Sequence, residues 1–158
     1  MIFYKIEPKP HLKLRIIATL IDYGIFFIII FLYGSVFGQK TDDGWVLNGL
    51  PALPIPIFWV LYFVLTEKII QATPGHDICK LKAVTTDGYK LTFATAFKRR
   101  ICDPIDILFY GIPAVIAILK SPKHQRLGDM LAGTVVVKKS DITEITSSFK
   151  SDDHLTNI

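Results

Sequence analysis

Between Leu14 and Phe37 the chain is apolar except for Arg15, Thr19, Asp22 and a few small or aromatic residues. At the rise of an α-helix such a run is long enough to cross a hydrocarbon core of roughly 30 Å, so it predicts a transmembrane helix over about 14–37. A cleaved signal peptide competes with this reading, because Lys5, Lys9, Lys13 and Arg15 precede or open the run. Asp22 interrupts the apolar stretch, however, and Ser35-Val36-Phe37-Gly38 is no small-residue cleavage site, so the segment is expected to stay. The hydrophobic fraction of 51% is gathered in blocks of this kind and not spread at core spacing.

Two more apolar blocks follow. After a short polar loop, Gln39 to Asn48, in which Trp45 is placed as an interfacial anchor, the prolines Pro51, Pro54 and Pro56 lead into a second helix over about 56–72. In the third block Asp103 reads as an N-cap, Pro104 as the first helical residue and Asp106 as a charge matched to the helix dipole. The helix over 104–119 then spans roughly 24 Å, short for a full crossing, and Gly111 with Pro113 predicts a bend near its middle. Between the blocks, Thr73-Pro74-Gly75 reads as a turn and Lys80–Thr85 as a short strand able to pair with Thr134–Val137. Thr92 caps a short helix whose Phe93, Ala96 and Phe97 share a face suited to the membrane surface. The fold class expected is an all-α membrane protein: two transmembrane helices, a third short, bent membrane helix and a small cytoplasmic β element. Residues 1–139 form the single domain, and the polar tail 140–158 is expected to be disordered.

The net charge of +4 comes from basic residues lying between the apolar blocks, which points to anionic lipid headgroups as partner and away from nucleic acid. The N-terminal arm and the segment Lys68 to Arg100 are rich in Lys and Arg while the first loop is poor, so the first two helices form a hairpin with both ends cytoplasmic, in the cell membrane. A full crossing by the third block would put Lys120, Lys123, Arg126, Lys138 and Lys139 outside; a block that enters and returns would keep them inside, and the strand pairing favours the second arrangement.

Arg15 and Asp22 are seven residues apart, so they share a helix face with Thr19 between them, and Asp22 is expected to lean back toward Arg15. Ionisable groups at membrane depth are costly and find partners, which leaves two readings for Asp22: an ion or proton site, or one half of a buried Arg–Asp pair that fixes helix packing. Glu67, at the cytoplasmic end of the second helix, is a secondary candidate expected to meet Arg15. Helix capping accounts for Asp103 and Asp106. The four histidines, His11, His76, His124 and His154, are dispersed, and Cys79 and Cys102 belong to no ligand motif, so no metal or other cofactor is expected. Nor is an enzyme, since no nucleophile elbow, zinc pair or phosphate loop occurs.

Three segments together resemble the RDD family of small bacterial membrane proteins. They are Arg15-Ile16-Ile17-Ala18-Thr19-Leu20-Ile21-Asp22, the Thr73-Pro74-Gly75 turn leading to Lys80-Leu81-Lys82-Ala83-Val84, and the run from Gln125-Arg126-Leu127-Gly128-Asp129 to Val137. Matched by motif, the arginine and two aspartates that name the family are Arg15, Asp22 and Asp129, with Arg126 a secondary candidate beside the last. His76 stands where the family usually has lysine, and Gly128 where histidine is common. The resemblance implies a transport-related role, cation/proton exchange or a transporter subunit, with a non-transporting scaffold or assembly factor as the alternative. Two or three helices do not enclose an aqueous path, so transport calls for a homo-oligomer or a partner membrane protein.

Overall fold

A computed structural model describes residues 2–6, 8–107 and 111–146. Helix α1, Leu12–Phe37, begins two residues earlier than expected and ends at Gly38, whose backbone returns to β geometry. Strands β2 (Gln39–Thr41) and β3 (Gly44–Val46) turn the chain back as a hairpin, and Trp45 packs on Gly34 so closely that a Cβ there would lie 2.2 Å from the indole. The second long apolar helix, Leu50–Ile70, starts six residues before the expected position because its prolines fall in the first turns, where missing N–H groups cost nothing. It comprises a 3-10 turn, helix α2 (Pro54–Trp59), a π-helical stretch (Val60–Leu65) and helix α3 (Thr66–Ile70). An aromatic seam joins the two spans: Phe26 stacks on Phe58 at 5.6 Å between ring centroids, and Phe63 lies 4.9 Å from Tyr23.

The segment expected as a turn at Thr73 is instead the start of a short helix, α4 (Pro74–Ile78), because Pro74 supplies the helical φ at its first position. Strand β4 (Leu81–Thr85) follows, then α5 (Phe93–Ile101), capped as expected by Thr92 through reciprocal bonds with Thr95. The third apolar block is divided into α6 (Asp103–Ile107) and α7 (Ile112–Lys120), which pack on one another. The expected bend is present: Gly111 has φ +81°, a left-handed conformation open to glycine at little cost, and Pro113 sits in the first turn of the new helix. Helix α8 (Leu127–Ala132) then leads into β5 (Thr134–Lys138).

Strands β4 and β5 pair antiparallel, Leu81 opposite Lys138 and Thr85 opposite Thr134, as the sequence predicts. This ribbon is buried on both faces. Leu81, Ala83 and Val136 pack against Ala18 of α1, and Val84, Val135 and Val137 against Tyr4. Tyr4 belongs to β1 (Ile2–Ile6), which pairs with β6 (Ile142–Thr146). The tail expected to lack structure therefore contributes a strand, because Ile142 has the valine face of the ribbon to cover; residues 147–158 of that tail lie outside the described residues. Helix α5, which precedes the third block, and helix α8, which follows it, pack on one another.

Candidate functional site

The polar stripe on α1 does not form the pair its spacing suggests. Arg15 and Asp22 point into separate clusters, because short helices from the later chain reach α1 at two levels.

Asp22 is 1% exposed and is held by the start of α4. Its Oδ1 accepts the backbone N–H of Gly75 at 2.7 Å, so a carboxylate from α1 caps α4 in place of the helix's own Thr73. The Thr73 hydroxyl donates to Asp22 Oδ2 at 2.5 Å. His76 Nδ1 lies 3.1 Å from the same oxygen and 2.8 Å from Thr73 Oγ1. Since the one hydroxyl proton of Thr73 goes to Asp22, Nδ1 carries the proton that faces both oxygens. Gly75 makes this approach possible: a Cβ would lie 2.2 Å from the Ala18 carbonyl and 2.9 Å from the Asp22 carboxyl carbon. Burial pushes the His76 imidazole below its ordinary value of 6.5 against the opposing hydrogen bond from Asp22, so it is neutral here.

The second cluster is centred on Asp129, which is fully buried. Arg99 Nη1 approaches its Oδ1 at 3.2 Å, Arg126 Nε lies at 3.5 Å, and Arg15 Nη1 faces Oδ2 at 3.7 Å. The backbone N–H of Arg126 also donates to Oδ2, closing the first turn of α8. Burial opposes its charge, but the three guanidiniums prevail and hold the Asp129 carboxyl below its ordinary value. The network continues through Glu67, which pairs with Arg99 at 3.3 Å and with Arg100, and through Asp103, which pairs with Arg100 at 3.0 Å and Arg126 at 3.1 Å and accepts the Tyr23 hydroxyl at 2.8 Å. Asp106 completes it, 3.9 Å from Arg126 Nε and accepting the Gly128 N–H at 3.4 Å. Four guanidiniums (Arg15, Arg99, Arg100, Arg126) thus meet four carboxylates (Glu67, Asp103, Asp106, Asp129) out of water. Gly128 allows α8 to seat on α5, since a Cβ would stand 2.1 Å from the Arg99 carbonyl.

Every site residue singled out in the sequence is in these clusters, but several partners differ. Arg15 donates to the Val136 carbonyl at 2.8 Å and faces Asp129, not Asp22 or Glu67. Glu67 turns to α5 because Arg99 and Arg100 arrive there fully buried. Asp103 and Asp106, attributed to capping, are ion-pair members. His76, which the sequence shows only as one of four dispersed histidines, is buried against Asp22; its place directly after Thr73-Pro74-Gly75 is the available signal. Arg99 and Arg100 carried the weakest signal, because hydropathy places them on a solvent face. Among the described residues no three His, Cys, Asp or Glu side chains converge to hold a metal ion.

A cavity of about 500 Å³ lies between α1 and α7, and Arg15, His76, Asp106, Arg126 and Asp129 from both clusters line its polar side. No curated protein and no solved structure matches the chain. The sequence model of the RDD family matches residues 9–133, a stretch that contains both charged clusters, and the chain belongs to the RDD family.

Proposed function

We propose that this protein is a multi-pass protein of the cell membrane with a cytoplasmic N-terminus, and that it serves transport by exchanging a proton at the Asp22–His76 pair against a cation. Embedding is supported by the outward face of α1, where Leu20 is 68%, Phe27 63% and Phe31 61% exposed. A helix this apolar in the interior of a soluble protein would be covered by the rest of its chain. Orientation is supported by the positive-inside tendency together with the β4–β5 pairing, which gathers the basic segments around 68–100 and 120–139 on one side. In this arrangement α6 enters and α7 returns, with α6 covered on the protein side by α5 and α8 and bonded through Asp103 to Tyr23 of α1.

The observation that carries the transport reading is the kind of partner Asp22 has. Its hydrogen bonds come from a hydroxyl, a backbone N–H and a neutral imidazole, and no guanidinium among the described residues is within ion-pair distance. A proton can come and go there without unbalancing the arginine network. The aqueous path is completed by further copies of the chain or by a partner membrane protein. The alternative of a non-transporting scaffold draws on the other cluster, whose closed set of charges fixes helix positions.

Two experiments test the two parts. With Cys79 and Cys102 replaced by Ser, Asp43→Cys is expected to react with an impermeant maleimide on intact cells and Ser140→Cys only after permeabilisation; labelling of both from outside would refute the returning third segment. In proteoliposomes, pH-gradient-driven uptake of Na⁺, K⁺ or Li⁺ is expected above that of empty vesicles and is lost in Asp22→Asn. Folded protein that takes up none of these ions would refute exchange of these ions and favour the scaffold.

A further inference from the structure

The cavity between α1 and α7 has an unusual combination of walls. Its polar end carries Arg15 and Arg126 together with Asp106 and Asp129, two positive and two negative groups. Its other walls are apolar: Leu12, Ile16, Leu20 and Phe27 of α1 face Val115 and Ile118 of α7. From Leu12 to Phe27 the α1 wall extends about 22 Å along the helix axis, the depth of most of one acyl chain. The volume of about 500 Å³ is within the range of small-molecule pockets, roughly 300–1,000 Å³, and accommodates a headgroup with the upper part of its chains.

Hydrogen-bond bookkeeping at the polar end is incomplete in both directions. Arg15 Nε and Arg126 Nη2 are buried donors without a hydrogen-bond acceptor among the described residues. Asp106 Oδ1 is a buried acceptor without a donor among the described residues. Buried polar atoms of this kind are uncommon in proteins and call for a partner. A ligand of net charge would disturb a balanced group of buried ions, whereas a zwitterion leaves the balance intact. The unpartnered acceptor further requires a ligand that donates. A quaternary ammonium has no N–H, and a glycerol headgroup donates but brings net negative charge.

We propose that this cavity is a binding site for a phospholipid with a primary ammonium headgroup, of the phosphatidylethanolamine type: the phosphate at Arg15 and Arg126, the ammonium at Asp106, and one acyl chain along α1 between Leu20 and Phe27. The site rests on the membrane reading, since its apolar mouth opens where α1 faces lipid. It does not depend on ion transport. Lipid at this position would seal α7 against α1 and make the cluster's stability depend on the bilayer's headgroups.

The test is native mass spectrometry of the delipidated full chain in detergent, with phosphatidylethanolamine, phosphatidylcholine and phosphatidylglycerol of identical chains added separately. One phosphatidylethanolamine is expected to remain bound, with an affinity about tenfold above the other two, the effect of one hydrogen bond to a charged group. Asp106→Asn is expected to abolish that preference. Ala114→Trp, which fills the cavity without touching a charge, is expected to remove the bound lipid from protein that remains folded by circular dichroism. Equal retention of all three lipids, a preference for phosphatidylglycerol, or retention unchanged in Ala114→Trp would overturn the proposal. Carbonate extraction separates this from failure of the membrane reading: protein that stays in washed membranes but shows no preference loses only the lipid site, and protein released by the wash loses both.

Discussion

Asp22 and Asp129 are both buried aspartates that hold the first turn of a short helix, yet their partners differ in kind. Asp129 is surrounded by three guanidiniums, groups that keep their charge at any physiological pH. Asp22 has a hydroxyl, a peptide N–H and a neutral imidazole, none of them a fixed charge. The difference divides the polar interior into a fixed part and an exchangeable part. Helix α1 carries one residue into each: Arg15 joins the fixed network and Asp22 the exchangeable pair, seven residues further into the apolar segment.

If that division holds, variants on the two sides fail differently. The largest effect is expected for Asp129→Asn, which leaves Arg99, Arg126 and Arg15 without their shared counter-charge. Removing one partner of a buried ion pair costs about 3–5 kcal/mol, so this variant should lose most of its folded yield in detergent, read by size-exclusion chromatography and thermal denaturation. Next is Gly75→Ala, whose Cβ must displace the Ala18 carbonyl now 2.2 Å away. Forced repacking of this kind costs about 1–3 kcal/mol and should open the Asp22 cradle while the arginine network stays intact, visible as a lower Tm with normal behaviour on the column.

A smaller effect is expected for Asp22→Asn, about 1 kcal/mol, because an amide still accepts from Gly75 and loses no ion pair. That this variant folds while Asp129→Asn does not is the sharpest mutational form of the comparison; equal destabilisation would erase it. The smallest effect is a pH dependence. His76 has a folded value depressed below its unfolded value of 6.5, so the folded state resists taking up the proton that the unfolded chain accepts. Its contribution to stability is complete above 6.5 and declines as pH falls below that value. The depressed value of Asp129 acts lower: its stabilisation is present above the ordinary 3.8 and is lost as pH falls below it. Denaturation followed against pH should therefore show two separate acid-sensitive ranges, and His76→Gln should flatten only the upper one.

Much of the architecture was legible from apolar run lengths. The two spans, the divided third segment and the β4–β5 pairing follow from Leu14–Phe37, the proline-rich entry, Gly111 with Pro113 and two β-branched runs, all local signals. The site residues were legible as types, since Arg15, Asp22, Glu67 and Asp129 are buried charges and Arg126 is nearly so. Their pairing was not. Spacing along α1 favoured an Arg15–Asp22 contact, but which residue meets which was decided by α4, α5 and α8 docking from elsewhere in the chain. Helix α5 shows the physical difficulty most clearly. Its hydrophobic Phe93 and Phe97 are partly exposed and stack on each other at 6.2 Å, while Arg99 and Arg100 are buried. Where the interior is ionic, hydropathy points the wrong way round the helix. Strands β1 and β6 were missed for another reason: each is short and partly polar, and each becomes stable only by covering the valines of the central ribbon.

The most direct test of the division is a ¹⁵N-histidine NMR titration of the purified protein and its Asp22→Asn variant. The account predicts that His76 remains neutral, with its proton on Nδ1, at a pH of about 6 where an ordinary imidazole is mostly charged. It also predicts that Asp22→Asn lowers its titration further, because the variant loses the carboxylate that supports the charged ring. A His76 resonance that titrates at the ordinary 6.5 and does not move in Asp22→Asn would contradict the account and leave Asp22 no more exchangeable than Asp129.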